Sequence, residues 1–297
     1  MKSKKKIKTL VIGGSGFLGS HVADLLSKRN HKVTIFDKRK YKFLNKNQKF
    51  IKGDILNYAK IRQVMKGQDI VFMFAGLSNL NEAIKKPIEA IKYNILATAN
   101  VLENCAEFNI KRFIFSSSVY ANSNIGGFYR ASKLAAEEFI KEYSKSFKVK
   151  FTVLRYGSLY GPRSDSSNGV KNIILYALKY NKLRYIGSSL AERQYIHISD
   201  ATEATLSILK KKYENKFVTI KGKKNIKVKK LLSYLKNKLN IKKNIRFDNK
   251  KFSGHYIKFP KKYSINLGQN FKFNKNKDIF QELDKLILMT QNELQKK

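Results

Sequence analysis

From Lys8 to Tyr156 the chain repeats one pattern, a short β-branched apolar run followed by an amphipathic stretch, and this alternation limits its fold more than anything else in it. "KTLVIGG" precedes "FLGSHVADLLSKRN", where Leu18, Val22, Leu25 and Leu26 fall at helical spacing. "KVTIFD" and "KFIKGD" read as the next strands and "YAKIRQVMKG" as a helix. "DIVFMFAG" reads as a fourth strand, apolar along its length as a strand covered on both faces must be. "PIEAIKYNILATANVLENCAEFN" reads as one long helix opened by Pro87, "KRFIFSSS" as a fifth strand, "FYRASKLAAEEFIKEYSKSF" as a helix and "KFTVLRY" as a strand. Regular strand–helix alternation implies an α/β, doubly wound parallel sheet that binds ligands at the carboxyl ends of its strands.

After "YGPRSDSSNG" the rhythm changes. Residues 1–165 are expected to form the sheet domain, and 194–212 ("RQYIHISDATEATLSILKKK" less its first residue) to rejoin it. Residues 166–193 and 213–297 are expected to form a smaller α/β domain, with "VKNIILYALKYN", "KVKKLLSYLKNKLN" and "DIFQELDKLILM" as its helices.

Several function classes fall away on composition. The single cysteine, Cys105, rules out an intramolecular disulfide and thiolate clusters, and the four histidines form no HxxxH or HxH pair, so no metal site is expected. The basic start followed by an apolar run imitates a secretory signal, but four glycines interrupt it and an amphipathic helix follows. No apolar run reaches the ~18 residues of a membrane helix. A cytoplasmic location is the expectation, with no membrane partner. The net charge of +41 comes from lysines spread along most of the chain, with only ten arginines among the 62 basic residues. A dedicated nucleic-acid binder gathers its charge on one face and relies on arginine, so no specific nucleic acid is expected as partner. Abundant Lys, Asn and Ile match an AT-rich coding sequence; a polyanion-binding surface is the alternative.

"GGSGFLG" spaces Gly13, Gly16 and Gly19 three apart between the first strand and the first helix. Glycines there allow a tight turn and let backbone amides approach a pyrophosphate at the helix N-terminus, the signature of a Rossmann-type dinucleotide site. Asp37 ends the second strand, placed to accept hydrogen bonds from an adenosine ribose, which favours NAD over its phosphorylated form; Lys38, Arg39 and Lys40 beside it favour the opposite. In "YRASK", Tyr129 and Lys133 stand at i and i+4, so they share a helix face. A free phenol, of pKa ~10, is a poor base at neutral pH, but a neighbouring ammonium favours the phenolate. The fifth strand ends in Ser116, Ser117 and Ser118, whose hydroxyls reach the same sheet edge.

Taken in order, the glycine spacing, "KGDI", "FAG", "FIFSSS", "YRASK" and "YIHISD" resemble the extended short-chain dehydrogenase/reductase superfamily, most closely its sugar-nucleotide epimerases of the UDP-glucose 4-epimerase type. The resemblance runs from about Thr9 to Ala204 and is faint beyond. It implies that Phe17 and Leu18 lie against a cofactor pyrophosphate, that Asp54 and Ile55 hold the adenine, and that Ala75 and Gly76 line the floor. It implies that Asn94 anchors a cofactor-binding loop or a water, that Lys133 also holds the nicotinamide ribose, and that Arg193 grips a substrate diphosphate. Read from the residues alone, Asp54 is equally a cap for the following helix. The helices near 87–108 and 128–147 resemble a pair that forms a four-helix dimer interface, which implies a homodimer.

There are departures. Val119 and Tyr120 follow the serines at once, where the family often has two more residues. Counting from the strand picks Ser118 as the catalytic hydroxyl, and counting back from "VY" picks Ser116; the strand count is preferred because loops absorb deletions more readily than sheets. The acidic pair of sugar 4,6-dehydratases is absent here. Gly157 and Ser158 stand where UDP-galactose epimerases carry Phe and Asn, so Ser158 is expected in a different sugar pocket. A second arginine expected near "HYIKFPKK" has no counterpart. The resemblance implies an NAD-dependent epimerase of a nucleotide-diphosphate sugar, with Ser118, Tyr129 and Lys133 catalytic and C4 oxidised in passing. The alternatives are a reductase or dehydrogenase on the same scaffold and an NAD-binding sensor without chemistry.

Overall fold

The computed structural model describes residues 6–40, 43–248, 255–258 and 268–295. The basic opening residues 1–5 and the second half of "HYIKFPKK", residues 259–262, lie outside them. The first half runs β1 (Lys8–Ile12), α1 (Phe17–Lys28), β2 (Lys32–Asp37), β3 (Gln48–Lys52), α2 (Tyr58–Met65), β4 (Ile70–Met73), α3 (Leu80–Lys85), α4 (Pro87–Ala90), α5 (Ala97–Glu107), β5 (Arg112–Ser118), α6 (Gly127–Phe147) and β6 (Phe151–Tyr156). There follow β7 (Ser158–Tyr160), α7 (Gly169–Tyr180), β8 (Arg184–Ile186), β9 (Glu192–Arg193), β10 (Tyr195–His197) and α8 (Ile198–Ser207). The chain closes with β11 (Lys216–Ile220), β12 (Ile226–Lys227), α9 (Val228–Lys238), β13 (Arg246–Asp248), β14 (Gln269–Asn270) and α10 (Ile279–Gln295).

Eight strands form one parallel sheet in the order β14-β11-β6-β5-β4-β1-β2-β3, a doubly wound Rossmann arrangement. The order reverses between β1 and β4, which opens a crevice at their carboxyl ends. β4 and β6 are buried at every residue, as strands covered by helices on both faces must be. One face packs on α2, α5 and α6 through a core that includes Phe113, Phe115, Val101 and Ile140. The other packs on α1 and α8 through Val11, Val22, Leu26, Ala201 and Ile208. A separate core joins α7, α9 and α10 around Ile174, Leu232 and Leu283.

Two details differ from the sequence expectation. The strand "KFVTIKG", grouped with the smaller domain, is hydrogen-bonded to β6 in the main sheet as β11, so the sheet takes in more than 194–212. The long helix opened by Pro87 is preceded by α3 and carries a π-helical turn over Ile91–Leu96 between α4 and α5. That turn aims Asn94 inward, and such insertions recur at functional sites. Among the described residues no helix is long and apolar enough to cross a membrane, and no group of three or more His, Cys, Asp or Glu is placed to hold a metal.

Candidate active site

A single cleft of ≈1240 Å³ runs along the carboxyl edge of the sheet, from the glycine loop after β1 to the small α-helical core. At one end, Gly13 has φ +80° and a Cβ there would lie 2.4 Å from the backbone nitrogen of Ala75. A Cβ on Gly19 would lie 2.2 Å from the carbonyl of Gly13. No larger residue fits either position without moving backbone. The Asp37 carboxylate accepts from the Ser15 amide at 3.0 Å and the Arg39 amide at 3.2 Å, tying β2 to the loop. Helix α1 begins at Gly16 with no side-chain cap and no acid in its first turn, so its leading amides remain open to an anion. The Ser15 hydroxyl in the same loop is buried with no partner among the described residues. Bare amides and an orphaned hydroxyl beside an acid at the β2 tip fit a dinucleotide. Phe17 and Leu18 line this end of the cleft.

Along the floor, Ala75 and Gly76 line the cleft, and a Cβ on Gly76 would lie 2.5 Å from Asn94 Oδ1. Buried Asn94 accepts from the Leu77 amide at 2.8 Å and donates to its carbonyl at 3.0 Å and to Ser132 Oγ at 2.9 Å. It thereby clamps the loop after β4 onto α6. Gly53 and Ile55 line the cleft beyond β3, while Asp54 turns to Lys38 at 2.9 Å and accepts from the Leu56 amide. The cap of α2 is Asn57, whose side chain accepts from Lys60, so the capping alternative for Asp54 is corrected. Lys38 also donates to the Tyr93 hydroxyl at 2.6 Å and lies over that ring, drawn away from the ribose position at Asp37.

The three serines divide their work. Ser118 lies beside the Tyr129 phenol, where it favours the phenolate, and its hydroxyl accepts from the Tyr120 amide at 3.3 Å. Ser117 donates to buried Glu137, and the Ser116 carbonyl accepts from Lys133 Nζ at 2.9 Å. Both Tyr129 and Lys133 are buried. Burial raises the pKa of Tyr129, opposed by Ser118. Lys133 gives one of its three N–H donors to the Ser116 carbonyl, and burial lowers its pKa to about 8. Lys133 therefore does not by itself make the phenolate the resting form, because desolvation penalises both charged forms.

The other end of the cleft holds residues that sequence spacing did not bring together. Arg193 on β9 donates to the carbonyls of Glu192 (2.8 Å) and Tyr256 (2.7 Å) and to the Tyr185 hydroxyl (2.9 Å), with its guanidinium 4.4 Å from the Tyr256 ring centroid. Ser158 on β7 hydrogen-bonds the Tyr256 hydroxyl. The Tyr120 hydroxyl lies 2.6 Å from His255 Nδ1, and its ring meets that of Tyr129 edge-on at 6.1 Å. Burial, with help from the Arg193 cation, lowers His255 to about 4, so it is neutral near pH 7. Tyr256 and His255 thus occupy the stretch where a second arginine was sought. The aromatic pair in "HYIKF" was the one available sign of it.

Residues 9–220 match the NAD dependent epimerase/dehydratase family. A dTDP-D-glucose 4,6-dehydratase of Dictyostelium discoideum is 30% identical over 241 residues, 69% of this chain; the match spans only 56% of that relative's length. A putative UDP-glucose 4-epimerase of Methanocaldococcus jannaschii is 27% identical over 80% of this chain and 85% of its own. The solved UDP-glucuronic acid 4-epimerase of Bacillus cereus, in complex with UDP-glucuronic acid and NAD, superposes with a TM-score of 0.81 at 22% identity, over 97% of this chain and 100% of that one.

Proposed function

The chain belongs to the NAD dependent epimerase/dehydratase family, and from that membership and the cleft we propose that it epimerises a nucleotide-diphosphate sugar, at C4. The observation that carries this reading is Tyr129 beside Ser118, with buried Lys133 one turn on, in a cleft that has an open glycine cradle at one end and Arg193 at the other. The two residues after Ser118, Val119 and Tyr120, are not the acidic pair of the sugar 4,6-dehydratases, which favours epimerase over the dehydratase branch.

NAD is the cofactor of this family and, when bound, supplies a nicotinamide that takes up and returns a hydride. Gly13, Gly16, Phe17, Leu18, Gly19 and Asp37 hold its adenosine diphosphate end, with Ile55, Ala75 and Gly76 on the walls. Tyr129 takes the proton of the sugar hydroxyl and later gives it back, and Ser118 orients both oxygens. Lys133 holds the ribose hydroxyls and steadies the negative phenol oxygen. Arg193, which lines the cleft with Nη1 on two backbone carbonyls and Nη2 on the Tyr185 hydroxyl, is the cation for the diphosphate, while Ser158 and Tyr256 border the sugar. Residues 166–193 and the part after β11 act as the nucleotide-holding domain. Asp54 acts on the adenine indirectly, by restraining Lys38.

The test uses a UDP-hexose deuterated at C4. Retention of the label in the epimer with no net change in NADH absorbance is the expected result. Stoichiometric NADH release would leave a dehydrogenase, and an inert protein with undamaged NAD binding would leave a sensor.

We also propose a homodimer through the helices near 87–108 and 128–147. Ile88 (59%), Leu96 (50%), Phe128 (51%) and Phe139 (45%) are exposed along them, an apolar stripe unusual for a monomer's surface. Phe139→Glu should convert a dimer to monomer in sedimentation; a monomeric parent protein would end the proposal.

A further inference from the structure

Tyr129, Lys133 and Glu137 stand on successive turns of α6, on one face. Each meets a different serine of β5: Tyr129 the Ser118 hydroxyl, Lys133 the Ser116 carbonyl, and Glu137 the Ser117 hydroxyl at 2.5 Å. Arg155, the register partner of Ser117 on β6, closes the far side of Glu137 with Nε at 3.0 Å and Nη2 at 2.5 Å. Glu137 and Arg155 are both 0% exposed. A buried ion pair is no more stabilising than apolar residues of the same volume, so stability alone does not account for it. Its charge acts on what lies next to it, and the next group along the helix is the buried ammonium.

We propose that Glu137, pinned by Ser117 and Arg155, is a positioning residue for Lys133, fixing both where its ammonium sits and that it stays charged. The inference rests on the reading of Lys133 as part of the catalytic set. The surroundings of Lys133 leave little else for that role. Its own helix offers Tyr129 and Glu137, and β5 offers the Ser116 carbonyl and the Phe115 ring at 4.8 Å. The loop after β4 and the π-turn offer Gly76 and neutral Asn94, and β6 offers Arg155, already paired with Glu137. Burial drives Lys133 down to about 8, and the Glu137 carboxylate is the charge that opposes it. Without that carboxylate the neutral amine gains, so the ammonium is lost at a lower pH.

The experiment titrates the 13Cε-lysine resonance of the full chain that vanishes in Lys133→Arg. It needs neither substrate nor cofactor, so its outcome is independent of whether the protein proves to be an epimerase. The expected midpoint is about 8 in the parent protein. Glu137→Gln, which keeps the shape and the bond to Ser117, should lower it by about one to three pH units, and Glu137→Asp should stay near the parent. If Glu137→Gln fails to fold around the unpaired Arg155, Glu137→Met/Arg155→Met removes both charges and should show a smaller downward shift, because the Arg155 cation that opposes the ammonium goes with the carboxylate. In turnover, the alkaline limb of kcat/KM should move down with the midpoint. An unchanged midpoint in folded Glu137→Gln, an upward shift in the double variant, or a loss of turnover equal at every pH, would overturn the proposal and leave Glu137 a structural residue.

Discussion

Tyr129→Phe should cut turnover by at least ~10²–10⁴-fold on the true substrate, while the fold and NAD binding persist. The substitution removes one oxygen from a ring already packed edge-on against Tyr120, so the cavity it leaves is small. What is lost is the acceptor for the sugar proton and the contact with Ser118. Ser118→Ala should give a smaller loss with NAD affinity unchanged, because Ser118 touches the phenol and not the glycine cradle. Ser116→Ala should do little, since Lys133 uses the carbonyl at that position and the backbone is retained. Single-turnover rates on each purified variant, beside NAD titrations, measure all three. A Tyr129→Phe protein with near-parental turnover would remove the phenol from the mechanism.

Arg155→Met should be the most destabilising change at any single position near the site. It removes the bidentate partner of the fully buried Glu137 carboxylate and leaves the Ser117 hydroxyl to hydrogen-bond it. Removing one partner of a buried pair costs about 3–5 kcal/mol, which for a domain of this size lowers the melting temperature by roughly 5–15 °C. Adding Glu137→Met should restore most of that stability, because the stranded charge goes with it. Calorimetric melting of the two single variants and the double gives the coupling directly. A single Arg155→Met with parental melting would mean that Glu137 is protonated or solvated where it sits.

The two results divide the site along a physical line that the sequence alone did not draw. From spacing one reads that Tyr129 and Lys133 share a helix face, and that three serines end the neighbouring strand. Spacing does not say which serine meets which side chain, because that depends on the tilt of α6 across β5. Ser117, Glu137 and Arg155 bond α6 to β5 and β6, and Arg155 is 18 residues from the glutamate. For the same reason the ammonium proved to be engaged by a carbonyl, and the phenol to be raised by burial: desolvation is a property of what packs overhead.

Local patterns determined the rest. The apolar runs and glycine spacing dictated the parallel sheet, its switch point and the phosphate cradle, since a strand covered on both faces has no other composition and only glycine fits where a Cβ would meet Ala75 or Gly13 backbone. Tertiary structure alone decided what has no local cause. It put "KFVTIKG" into the main sheet, because a short apolar strand pairs with whichever edge lies open, here β6. It turned Asp54 away from the cleft, because Lys38 stood within reach. And it brought His255 and Tyr256 from the far end of the chain onto Tyr120, Ser158 and Arg193, contacts made by packing between distant segments, which no periodicity along the chain encodes.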